Sequence, residues 1–176
     1  MRTSVFIGRF QPFHLGHLDA IRQSLQHTDL LFIGIGSSQE NFLPQNPFTT
    51  GERIEMIKSA LDEAKIPTDK YLIIPVPNIN NYELWPHHVE QYLPPFDSIF
   101  TCSDIVETLF KTANKTRKTP WKIHRLQKNK KISSTQIRTN MLKNKKWDQM
   151  VPKSTASLLK AWDAPARLKS IQEIEK

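Results

Sequence analysis

Ser4-Val5-Phe6-Ile7-Gly8-Arg9-Phe10-Gln11-Pro12-Phe13-His14-Leu15-Gly16-His17 begins with a short apolar, β-branched run and is followed by Leu18, Ile21 and Leu25 at helical spacing. That order reads as strand, loop, helix: the first run suits a strand, and recurrence every three to four residues lines one helix face. The strand-to-helix turn packs one arginine, two histidines and two glycines together. A helix starting near Leu15 turns its free amides and positive dipole end toward that turn, which favours an anion. Gly8 and Gly16 let a ligand approach the backbone closely, and Arg9, His14 and His17 carry donors for phosphate oxygens.

Outward from this stretch the alternation continues. Residues 30–35 suit a buried strand that leaves the sheet through Gly34-Ile35-Gly36-Ser37. Asn46-Pro47-Phe48-Thr49 opens a helix through Ile54, Ile57, Ala60 and Leu61, with Thr49 and Glu52 spaced as a capping box. Further strands are expected over residues 71–76, 98–101 and 121–126, and helices over 85–92, 103–110 and 133–142. From Pro152 onward the chain reads as helical except near Pro165. Strands and helices alternating at this spacing predict an α/β fold, a Rossmann-like doubly wound parallel sheet with helices on both faces. No repeat or long linker interrupts it, so one domain over residues 1–176 is expected, with a helical C-terminal part from residue 133 onward.

A chain of 176 residues can bury a core without a disulfide or structural metal. The single cysteine, Cys102, and the lack of a charged, apolar leader before residue 4 point to a reducing, cytoplasmic setting. No apolar run has bilayer length, so no membrane partner is expected. A net charge of +8 points to something anionic. Much of the excess lies in residues 111–122 and 128–131, which read as solvated loop or helix surface. His14 and His17 have the spacing of half a metal site, but no further cluster of ligand spacing accompanies them, and no protein-held metal is expected.

Ile132-Ser133-Ser134-Thr135-Gln136-Ile137-Arg138 places three hydroxyl residues at a helix start and an arginine in its second turn. Ser133 and Gln136 have capping-box spacing, and a cap and a phosphate site can share one helix end. The two basic clusters, far apart in sequence, can face each other across one pocket and hold a polyphosphate from both sides.

At these residues the chain resembles the nucleotidyltransferases with an H-x-G-H signature and a later I-S-S-T-x-x-R signature. Gly8-Arg9-Phe10-Gln11-Pro12, Asn46-Pro47-Phe48-Thr49 before Gly51-Glu52-Arg53, and Trp85 after the third strand are similar to the archaeal-type nicotinamide mononucleotide adenylyltransferases. The resemblance implies transfer of the adenylyl group of ATP to nicotinamide mononucleotide, giving NAD and pyrophosphate, with Mg2+ arriving on the ATP. It implies that His17 contacts the α-phosphate, that His14, Arg9 and Arg138 meet the bridging and terminal phosphates, and that Ser133, Ser134 and Thr135 hold the outgoing pyrophosphate. Gly8, Phe10 and Gly16 complete the implied ATP site. Ser37, Asn46, Thr49, Asn78 and Trp85 form the implied mononucleotide site, with Trp85 stacking on the pyridinium ring and Asn78 near its substituent.

Three departures from the family pattern stand out: Gln45 where a basic residue is usual, Cys102-Ser103 in place of Gly-Asn, and Thr139 and Asn140 in place of arginines. Relatives are often hexamers, so a homo-oligomer is an expectation from resemblance. Arg138→Ala is expected to weaken ATP binding while leaving the melting temperature nearly unchanged. The competing readings are another transferase of the superfamily, using pantetheine phosphate or a sugar-alcohol phosphate, and a basic nucleic-acid-binding module. Trp85 and residues 46–53 argue against the first. No nucleic-acid partner is expected, because no reader motif is present.

Overall fold

The computed structural model describes residues 1–174. In chain order they form β1 (Thr3–Gly8), α1 (Leu15–Leu25), β2 (Leu30–Ile35), α2 (Thr50–Glu63), β3 (Tyr71–Pro75), α3 (Trp85–Tyr92), β4 (Ser98–Thr101), α4 (Asp104–Asn114), β5 (Lys122–Arg125), α5 (Ser134–Leu142), α6 (Lys153–Ala161) and α7 (Ala164–Ile174). All strand pairs are parallel, in the order β3-β2-β1-β4-β5. This is the expected Rossmann-like α/β sheet flanked by helices. The chain winds outward from β1 to β3, then crosses to β4 on the other side of β1, so β1 and β4 flank the point where strand order reverses.

The chain groups into two compact units. The first, residues 1–8, 20–38 and 68–128, contains all five strands. Because side chains alternate along a strand, Val5, Phe32 and Ile99 share one face and pack with Val89 of α3 and Phe110 of α4. On the opposite face Phe100 lies between the rings of His27 and His124, at 6.3 and 4.8 Å. The edge strand β5 reads Lys-Ile-His-Arg, and its charged side chains discourage a further strand from adding to the sheet. Residues 111–122 are not all solvated surface as expected. Arg117 is half-buried, pairs with both oxygens of Glu90 at 2.8 and 2.9 Å, and lies 3.5 Å over the buried Trp121 ring.

The second unit comprises residues 9–19, 39–67 and 129 onward. In it α2 packs on α6 and α5 on α7. The capping box of α2 forms as expected: Thr49 Oγ1 accepts from Glu52 N–H at 3.2 Å, and Glu52 Oε2 accepts from Thr49 N–H at 2.9 Å. Pro165 does not interrupt a helix; it sits in the first turn of α7, where a missing N–H has no helical partner to lose. The interruption expected near Pro165 falls at Trp162 and Asp163, with Asp163 at φ 47°. No described helix is long and apolar enough to cross a membrane.

Candidate active site

Long-range hydrogen bonds shape the turn after β1. The amide of Gln11, 1% exposed, pairs with the main chain of Phe48 in both directions, Nε2 donating to the carbonyl and Oε1 accepting from the N–H, each at 2.9 Å. Arg138 Nη1 donates to the Gln11 carbonyl at 2.8 Å, and Ser134 Oγ donates to the Pro12 carbonyl at 3.0 Å. These bonds span 37, 127 and 122 residues of sequence, so they exist only once the unit has folded.

Beside this turn opens a cavity of about 280 Å³ lined by Arg9, Phe10, Gln11, His14, His17, Ile132, Ser133, Ser134, Thr135 and Arg138. Eight of the residues expected to handle ATP therefore meet in one place, and no carboxylate is among the lining residues. Ser133 Oγ caps α5 by accepting from Gln136 N–H at 3.2 Å, and the amides of Ser134 and Thr135 have no partner inside the helix. A larger cavity of about 480 Å³ lies in the first unit, but two of its cations, Arg2 and Arg117, are already paired with Asp29 and Glu90.

The histidines depart from expectation in an informative way. Two amides at the start of α1 are not left for an anion, because Nδ1 of His14 accepts from the N–H groups of Gly16 and His17 at 3.1 and 3.3 Å. His17 Nδ1 in turn accepts from His14 N–H at 3.2 Å. A ring nitrogen that accepts from a main-chain N–H carries no proton, so both imidazoles are neutral with the proton on Nε2. The rings stack at 3.6 Å, and His17 also meets Phe10 edge-on at 4.8 Å. Burial pushes the His14 pKa down to about 4. His17 is held well below the usual histidine range, by burial first and by His14 second. Gly16 serves this arrangement more directly than ligand approach: a Cβ there would lie 3.0 Å from the His14 ring.

A pH dependence follows. An unfolded histidine binds its proton near pH 6.5, whereas folded His14 does so only near 4. Between those values the unfolded chain carries more protons, so stability is complete above pH 6.5 and falls as the pH drops toward 4. His14 alone accounts for about 3 kcal/mol of that loss. Urea midpoints should fall between pH 6.5 and 5, above the carboxylate range, and His14→Asn should flatten that slope. An equally steep slope in the variant would assign the effect elsewhere.

Arg138 is 8% exposed, and burial, then Arg9, lowers its pKa. Its bond to the Gln11 carbonyl argues against the expectation that its removal leaves the melting temperature nearly unchanged. Of the residues expected at the mononucleotide site, Ser37, Asn78 and Trp85 belong to the first unit, and Asn46 and Thr49 to the second. Ser37 takes φ 49° at the end of β2. Trp85 is half-buried, with Phe110 edge-on at 6.0 Å, so it is partly a core residue. Thr49 Oγ1 is engaged in the α2 cap. Asn46 is 3% exposed, and its Nδ2 donates to Glu40 at 2.6 Å. Its buried Oδ1 has no hydrogen-bond partner among the described residues.

Sequence reasoning assigned no role to Gln11 or Arg53. Arg53 is fully buried on the face of α2 that carries Met56, Ile57, Ala60 and Leu61. A charged residue on an otherwise apolar helical face was the available signal.

Residues 5–140 match the model of the cytidylyltransferase-like family. The nicotinamide-nucleotide adenylyltransferase of Archaeoglobus fulgidus is 42% identical, over 94% of this chain and 95% of the relative. That of Saccharolobus solfataricus is 38% identical over the whole of both. Among solved structures, a bifunctional NMN adenylyltransferase/ADP ribose pyrophosphatase from Francisella tularensis superposes with a TM-score of 0.80 at 24% identity, over 97% of this chain. This chain spans only 52% of that protein, so the likeness carries the fold alone. A structure of such a Francisella enzyme complexed with AMP and manganese gives a TM-score of 0.73 at 26% identity, over 99% of this chain and 53% of that one. With the family model matching most of its length and relatives matching nearly all of it, this chain belongs to the cytidylyltransferase-like family, among the nicotinamide-nucleotide adenylyltransferases.

Proposed function

We propose that the cavity bounded by Arg9, His17 and Arg138 holds the phosphates of ATP while the chain carries out the reaction of its family, the joining of ATP and nicotinamide mononucleotide into NAD. The observation that carries this assignment is the lining itself: Arg9, Arg138, His14, His17 and the start of α5 meet around one cavity without a carboxylate.

A phosphate oxygen of the mononucleotide attacks the α-phosphorus of ATP, a new P–O bond forms, the bond to the β-phosphate oxygen breaks, and pyrophosphate leaves. The nucleophile is already an anion, so no serine or cysteine is needed to generate one. The protein's part is to hold two anions in line and to meet the charge that shifts onto the leaving group. His17 donates from Nε2 to the α-phosphate, and Arg9, His14 and Arg138 take the bridging and terminal phosphates. Ser133, Ser134 and Thr135 receive the pyrophosphate at the start of α5.

Among the described residues no group of three or more His, Cys, Asp and Glu side chains gathers as a metal site. The cationic and hydroxyl lining does not suit a protein-held cation, so Mg2+ enters as part of the ATP substrate. The manganese and AMP in the Francisella complex support a divalent ion accompanying the nucleotide. For the mononucleotide, the proposed contacts within the first unit are Ser37, Asn78 and Trp85; within the second, Asn46 is proposed, with Thr49 acting through the α2 cap. The test is formation of NAD and pyrophosphate in equal amounts from ATP, Mg2+ and nicotinamide mononucleotide. Transfer to pantetheine phosphate, with no dinucleotide from either the amide or the acid mononucleotide, would overturn the reading.

A further inference from the structure

Arg53 does not line the cavity, yet it is 0% exposed and ties two segments of the second unit, residues 9–19 and 39–67, together. Its Nη1 donates to the Arg9 carbonyl at 3.1 Å, its Nε to the Thr49 carbonyl at 3.4 Å, and its Nη2 to Thr50 Oγ1 at 3.0 Å and the Glu40 carbonyl at 3.4 Å. Burying a guanidinium is costly unless its donors are satisfied, so a fold that retains one gains something specific from its geometry.

The peptide that Arg53 holds leads directly into Phe10. Phe10 has φ 52°, a left-handed conformation that costs a residue with a Cβ about 1–2 kcal/mol. The carbonyls on either side of it are pinned by buried arginines, that of Arg9 by Arg53 and that of Gln11 by Arg138. The strained turn places the Phe10 ring edge-on to His17 at 4.8 Å and 5.8 Å from the Phe13 ring, which itself lies 5.5 Å from His17. Arg138 both bonds the turn and lines the cavity; Arg53 bonds the turn from outside the cavity.

We propose that Arg53 is a positioning residue for adenylyl transfer: by holding the Arg9 carbonyl it keeps Phe10 in its left-handed conformation, and Phe10 in turn seats the His17 imidazole against the α-phosphate. This rests on the cavity being the ATP site. A lysine at position 53 keeps the charge but cannot reach the same acceptors with one ammonium group. Arg53→Lys is therefore expected to lower kcat roughly tenfold to hundredfold, as a misplaced catalytic group does, while KM for ATP moves less than about threefold.

A double-mutant cycle separates positioning from general weakening of the fold. Glycine adopts positive φ without strain, so in a Phe10→Gly background, itself impaired by loss of the ring, Arg53→Lys should cost less than about threefold further. Equal losses in the two backgrounds, or wild-type kcat in Arg53→Lys, would overturn the proposal. Should Arg53→Lys fail to fold, Thr50→Val removes one acceptor and should lower kcat about two- to fivefold in wild type but not in Phe10→Gly; equal losses there count against it as well. If the wild type itself makes no dinucleotide, the ATP reading has failed, and positioning is then read from the 15N shifts of the His17 ring. Those shifts should move in the folded variant, and unchanged shifts would overturn the positioning role on its own.

Discussion

His17→Ala is expected to lower kcat by roughly 10²–10³, the loss seen when one preorganised donor to a developing oxyanion is removed. The tautomer makes this specific. Nδ1 of His17 is occupied by the His14 N–H, which leaves Nε2–H as the ring's one free donor position for the proposed contact. The ring is already oriented by His14, Phe10 and Phe13 at 3.6, 4.8 and 5.5 Å, so no reorganisation accompanies charge development. A donor used mainly in the transition state affects kcat, whereas one used equally in ground and transition states affects KM alone. KM for ATP should therefore move less than about threefold. The lost ring contacts will also lower the melting temperature, so kinetics are measured well below it. An unchanged kcat would remove His17 from the chemistry.

Arg138→Ala is expected to damage binding and folding together. The guanidinium bonds the Gln11 carbonyl at 2.8 Å and approaches Thr135 Oγ1 at 3.5 Å, in a buried position beside the positive charge of Arg9. Truncation leaves the Gln11 carbonyl without its donor, a cost of about 1–3 kcal/mol. In a chain of this length that lowers the melting temperature by roughly 2–12 °C. It also removes one of the two guanidinium groups of the cavity lining, and kcat/KM for ATP should fall roughly 10²–10³-fold. Arg138→Lys should keep part of the ATP affinity through its charge and lose the bidentate geometry. A variant that melts like the wild type would show that the Gln11 bond contributes nothing to the fold. One that folds less well but retains full kcat/KM would leave Arg138 a structural residue only.

The fold was largely legible because its signals are local. Short apolar strands alternate with segments of helical period, and the expected strands fall within one or two residues of the observed ones, with β3 ending at Pro75 and β5 reduced to Lys122–Arg125. Caps at Thr49 and Ser133 were likewise readable, since a hydroxyl and its amide partner lie three residues apart. The break expected near Pro165 falls just before it, between α6 and α7, because a first-turn proline loses no hydrogen bond and can open a helix.

Composition and spacing by themselves determined a parallel α/β sheet, a turn after β1 that carries one arginine and two histidines, and a second cluster at the start of α5, because each depends on residues close in sequence. Tertiary structure alone decided that the two clusters share one cavity, that both histidines are neutral Nε2–H donors, that α1 is capped by His14, and that Arg53 and Arg138 brace the same turn from either side. Those properties depend on burial and on hydrogen bonds that reach across 44 and 127 residues, and a proton's position or a guanidinium's acceptor is set by the groups folding brings within about 3 Å, whatever their distance along the chain.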